Sequence, residues 1–131
     1  MVDPISREVA AFIAGHVTSV AELELLLVIR NNPARAWSGA DLAGELRVDP
    51  AWATRQLERF ASSGFIARSD GEPPTYAFRP SGPGLERLLT EVATAYLLHR
   101  VRLIELIYAG PDPGIRAIAD AFRLRKDRPS G

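Results

Sequence analysis

One stretch of this chain, residues 48–68, limits the fold more than any other, because it spells a capped helix, a glycine stop and a strand in immediate succession. Asp49 is a strong N-cap residue, and Pro50 suits the first helical position, where a missing N–H is no loss. Ala53, Leu57 and Phe60, spaced by four and three, put an apolar stripe on one side of a helix predicted over 50–63. Trp52, Thr54, Arg55 and Arg59 fall mainly off that stripe. Gly64 then supplies the left-handed residue that closes a helix, and Phe65-Ile66 opens a run with strand character.

The flanking residues extend the pattern on both sides. Ser38 caps a helix predicted over 39–46, with Asp41 in its first turn, and Trp37 before it reads as a core or rim residue. Residues 65–69 and 75–79 flank the turn-rich loop Asp70-Gly71-Glu72-Pro73-Pro74, which is about the length a hairpin allows. Earlier in the chain, Ile5, Val9, Phe12 and Ile13 give a short amphipathic helix over 5–14, with Pro4 in its first turn. Ser19-Val20-Ala21-Glu22 has the spacing of a capping box, and the helix after it is apolar nearly all round, which makes it central, until Asn31-Asn32-Pro33 ends it.

From 85 to 108 there is neither proline nor glycine. One helix of that length reaches roughly 36 Å, more than a small domain needs to cover its core. It carries one apolar face through Leu85, Leu89, Val92, Tyr96, Leu103 and Ile107, and a second through Leu97, Val101, Ile104 and Tyr108. The excess apolar surface needs a partner. Gly110-Pro111-Asp112-Pro113-Gly114 breaks the chain before a last short helix over 114–124 and a frayed end. The expected architecture is mainly α with a small β-hairpin wing. A winged helix-turn-helix over 17–82 is flanked by an N-terminal helix (1–16) and by the long helix with its short successor (83–131).

The residues Asp49-Pro50, Thr54-Arg55, Leu57-Glu58-Arg59 and Gly64-Phe65-Ile66 stand in the order found in MarR-type winged-helix transcriptional regulators, and the chain resembles that family from about residue 20 to about residue 89. The resemblance implies a homodimer that binds double-stranded DNA through the helix over 50–63. On this reading Trp52, Thr54, Arg55 and Arg59 lie at the groove, Arg68 lies near the backbone, and Phe12, Leu89, Tyr96, Leu103 and Ile107 form the dimer interface. Two-fold pairing would set two recognition helices about one DNA turn, roughly 34 Å, apart. The wing departs from the family pattern. Its tip, Ser69-Asp70-Gly71-Glu72-Pro73-Pro74, is acidic where a phosphate-binding wing is basic.

Charge leaves a second reading open. The whole chain is formally neutral, and over 38–80 five arginines (Arg47, Arg55, Arg59, Arg68, Arg79) face six acids (Asp41, Glu45, Asp49, Glu58, Asp70, Glu72). Basic charge gathers instead in the tail, at Arg116, Arg123, Arg125, Lys126 and Arg128. A winged helix that docks a protein and reads no base is therefore the alternative, with Trp52 as a candidate contact. For single residues the alternatives are equally concrete. Arg55 either forks onto guanine O6 and N7 or pairs with Glu58, Arg59 either meets phosphate or lays its stem along the helix, and Trp52 either packs inward or faces a partner.

Catalysis is not expected, since no nucleophile-base arrangement is present, and no cofactor or metal site is expected either. His16 and His99 have no companion at metal-binding spacing. The absence of cysteine removes disulfides and thiolate sites. The opening Met1-Val2-Asp3-Pro4 lacks the positive region of a signal peptide, and the longest apolar run, 25–29, is far short of the roughly 20 residues a membrane span requires, so a cytoplasmic location away from membranes is expected.

Overall fold

The computed structural model describes residues 3–109. The expected helix over 114–124 and the basic tail lie outside them. Six helices and one hairpin follow in the order α1 (Arg7–His16), α2 (Val20–Asn31), α3 (Gly39–Leu46), α4 (Pro50–Ser62), β1 (Ala67–Ser69), β2 (Thr75–Ala77), α5 (Pro83–Leu98) and α6 (Arg100–Ala109). The architecture is mainly helical with one small antiparallel sheet, a winged helix. No single helix among the described residues is long and apolar enough to cross a membrane. The described residues form two compact units, residues 21–90 and residues 3–20 with 91–109.

In the unit over 21–90, local chemistry sets most boundaries. Ser38 Oγ accepts the Asp41 N–H at 3.0 Å and starts α3, and Asp49 Oδ2 accepts the Trp52 N–H at 2.9 Å and starts α4. Helix α4 ends in a Schellman closure: Gly64, at φ +85°, donates to Ala61 O at 3.0 Å, and Phe65 donates to Phe60 O at 3.1 Å. The hydrophobic contact that accompanies this motif is present, with the Phe60 and Phe65 rings 5.9 Å apart. The stripe Ala53, Leu57 and Phe60 is fully buried, as are Leu23, Leu25, Leu26 and Ile29 of α2. The hairpin pairs Ala67 with Ala77, Arg68 with Tyr76 and Ser69 with Thr75. It is extended by a link the local pattern does not announce: Trp37 and Tyr76 exchange two backbone hydrogen bonds of 2.8 Å, which anchors the wing to the residue before α3.

In the other unit, α1 starts later than expected. Ser6 is its cap, with Oγ accepting the Val9 N–H at 3.2 Å, so Pro4 lies outside the helix and the last turn extends to His16. A hydroxyl at the cap position satisfies an orphan N–H, which a proline ring cannot do. Helix α6 packs on α1, with Val9, Phe12, Ile13, Leu103 and Leu106 buried. Arg102 reaches Asp3 at 2.6 Å, and that hydrogen bond holds the Asp3 carboxyl below its ordinary value.

The single long helix expected over 85–108 is two helices. It bends at His99, although backbone hydrogen bonds continue through the bend, from His99 N–H to Ala95 O at 2.7 Å and from Leu103 N–H to His99 O at 3.0 Å. No proline or glycine causes it. The bend separates two segments with different apolar faces and lets α6 bury Leu103 and Leu106 beside α1.

Candidate nucleic-acid interface

The α3–turn–α4 unit is held at close range. A β-carbon at Gly39 would run into the Thr54 hydroxyl, so α4 sits against the first turn of α3 only because residue 39 has no side chain. Thr54 is half-buried at this crossing and Trp52 is half-buried in the first turn of α4. Arg55, the residue after Thr54, is exposed and forms no ion pair with any described residue.

Two other arginines expected at DNA are engaged by the protein itself. Arg59 Nη2 donates to Glu22 Oε1 at 2.8 Å and to Gln56 Oε1 at 2.8 Å, and the guanidinium lies 4.6 Å from the Phe60 ring centre. Glu22 is buried, so this pair ties α4 to α2 and neutralises the Arg59 charge within the chain. Arg68 pairs with Asp70 at the hairpin tip and lies 3.5 Å from Glu58. The Tyr76 hydroxyl, Glu58 and Asp70 hold its guanidinium above the ordinary value. Tyr76 donates to Glu58 Oε1 at 2.7 Å, and burial followed by that hydrogen bond pushes its phenol up. The wing thus neutralises its own cation before any phosphate arrives. Sequence spacing carries no signal for the Arg59–Glu22 pair, whose partners are separated by 37 positions.

The five residues expected at a dimer interface divide as well. Phe12, Leu89 and Leu103 are 4%, 1% and 0% exposed inside the chain, which leaves them nothing to offer a second copy, while Tyr96 and Ile107 are half-buried. The apolar surface left outside is the second stripe. Leu97, Val101 and Tyr108 are 80%, 73% and 66% exposed, and Leu98 is 64% exposed. The periodicity revealed both stripes, but only packing separates the inner from the outer one.

Comparison with solved structures places this architecture. BpsR of Bordetella bronchiseptica matches over 94% of this chain and 87% of its own, with a TM-score of 0.51 at 21% identity. The heme sensor PefR of Streptococcus agalactiae matches over 92% and 81%, with a TM-score of 0.53 at 18% identity. The winged-helix fold of this chain is the one these two structures share. No family model and no curated protein matches the chain. Helix α4 is the second helix of the α3–turn–α4 unit, and its exposed side is the surface to test.

Proposed function

We propose that this protein is a homodimeric DNA-binding transcriptional regulator that reads duplex DNA with α4. The observation that carries the reading is the contrast among its arginines: Arg55 stands exposed on α4 with no ion pair among the described residues, while Arg59 and Arg68 are neutralised from within. A free guanidinium on a helix that fits the major groove can fork onto guanine O6 and N7. Trp52 and Thr54 precede it on the same helix, both half-buried, and give shape to the contact. The solved BpsR structure concerns regulation of DNA binding by 6-hydroxynicotinic acid, which accords with a regulatory role on this fold.

Fluorescence anisotropy with a duplex from upstream of the protein's own gene, against a scrambled duplex, tests the reading. Arg55→Ala is expected to lose about 1–3 kcal/mol of discrimination between the two duplexes. Arg59→Ala and Arg68→Ala should leave that discrimination nearly intact. Absence of any preferential binding by the wild-type protein at low salt overturns the proposal.

The dimer part of the proposal rests on the outer stripe of Leu97, Val101 and Tyr108, since a monomer would leave three large apolar side chains in water within about three helical turns. Val101→Glu is expected to shift the sedimenting species from dimer to monomer. Because Val101 is so exposed, the same change should alter the unfolding free energy of the monomer by no more than about 0.5 kcal/mol.

A protein-docking module is the second reading, favoured by the acidic wing tip and by the half-exposed Trp52. On that reading a stoichiometric protein partner shields Trp52 from quenchers, and Arg55→Ala leaves DNA anisotropy unchanged because there is none to lose.

A further inference from the structure

Two helices in the unit over 21–90 end on a left-handed residue whose successor donates five positions back, Val48 N–H to Ala43 O at 3.0 Å and Phe65 N–H to Phe60 O at 3.1 Å, but different residues take the left-handed position. At the end of α4 that residue is Gly64. At the end of α3 it is Arg47, with φ 58° and ψ 49°, where the Arg47 and Val48 N–H groups both point to Ala43 O. Arg47 is the only described non-glycine residue with positive φ. A side chain in this conformation is disfavoured, and the chain demonstrates at Gly64 that glycine takes the left-handed position without strain. The helix end therefore explains the backbone shape but not the arginine.

Two facts point to what the arginine does. Arg47 is exposed and forms no ion pair with a described residue, although Glu45 and Asp49 are its near neighbours in sequence. It is also the only cation between Ser38 and Thr54, a stretch that otherwise carries Asp41, Glu45 and Asp49. The turn and the start of α4 would meet a phosphate chain with net negative charge if residue 47 were neutral. We propose that Arg47 is a DNA-backbone contact, a sequence-independent positioning residue that holds α4 in register while Arg55 reads, and that the strained helix end is retained for this charge. This rests on the DNA-binding reading above.

The test measures affinity and stability on the same variants, using the upstream and scrambled duplexes over a salt series. Arg47→Gly is expected to weaken binding to both duplexes equally, by about threefold to tenfold, and to reduce the slope of log affinity against log salt by about one for each subunit. The same variant should melt a few degrees higher, on the order of 3 °C, because the strain is gone. Arg47→Lys keeps charge and strain, and should bind within about twofold of wild type at an unchanged slope, since a phosphate contact needs a point charge rather than a fork. Loss of discrimination between duplexes in Arg47→Gly would assign base reading to Arg47 and overturn the proposal. Unchanged affinity and slope would overturn it too, while leaving wild-type DNA binding in place. Failure of the wild-type protein to bind either duplex removes the DNA reading and this inference together.

Discussion

Replacing Gly64 with valine is expected to destabilise the unit over 21–90 by about 3 kcal/mol, a large share of the roughly 5–15 kcal/mol that holds a domain folded. Gly64 has φ +85°, and a β-carbon there would come within 2.6 Å of Ser81 Oγ. For alanine the hydroxyl can rotate aside, so the cost is mainly conformational, about 1–2 kcal/mol. Valine adds a branched side chain at a position that also carries the hydrogen bond from Ser81 N–H to Gly64 O at 2.9 Å. Urea unfolding of the glycine, alanine and valine proteins should give midpoints in that order. Combining Gly64→Ala with Ser81→Ala should recover little, because the backbone angle remains. A valine protein within about 0.5 kcal/mol of wild type would contradict the left-handed closure of α4.

Trp37→Ala is expected to cost about 3–5 kcal/mol, the range for removing a large aromatic side chain from a packed core. Trp37 is 2% exposed, its backbone pairs with Tyr76, and the Arg35 guanidinium lies 3.6 Å from its ring centre. Its side chain thus fills the place where the wing joins the helices. Trp37→Phe should be much milder, about 1–2 kcal/mol, because the indole N–H has no hydrogen-bond partner among the described residues and mainly volume disappears. Fluorescence makes the measurement direct. With Trp37 replaced, the half-buried Trp52 is the remaining indole, and it reports unfolding from the first turn of α4 itself.

The helix-turn-helix was legible because its signals are short. Ser38, Asp49, Pro50 and Gly64 each act on backbone groups within a few residues, so their positions alone set where α3 and α4 begin and where α4 stops. Helix α1 starts two positions after the expected Ile5 because Pro4 and Ser6 both suit a helix start, and only the hydrogen bond to Val9 decides between them. The left-handed residue at Arg47 carried no warning, since arginine gives no sign of the conformation that glycine would have advertised. The bend at His99 was illegible for a different reason. Nothing in the local chain breaks the helix, and the gain from burying Leu103 and Leu106 against α1 becomes apparent only once α1 is in place.

The amino-acid order alone settled where most helices lie, which of them carry apolar stripes and which arginines stand off the core of α4, because caps, glycine stops and periodicity are properties of neighbours along the chain. It did not settle which of those arginines keeps an unpaired charge, or which of two apolar stripes remains in water. Those outcomes belong to the folded chain: Arg59 meets Glu22 across 37 positions, and Leu103 is buried beside a helix that begins at Arg7 while Val101 is left outside. Charge neutralisation and burial depend on distance in space, and that distance is set only when the elements pack.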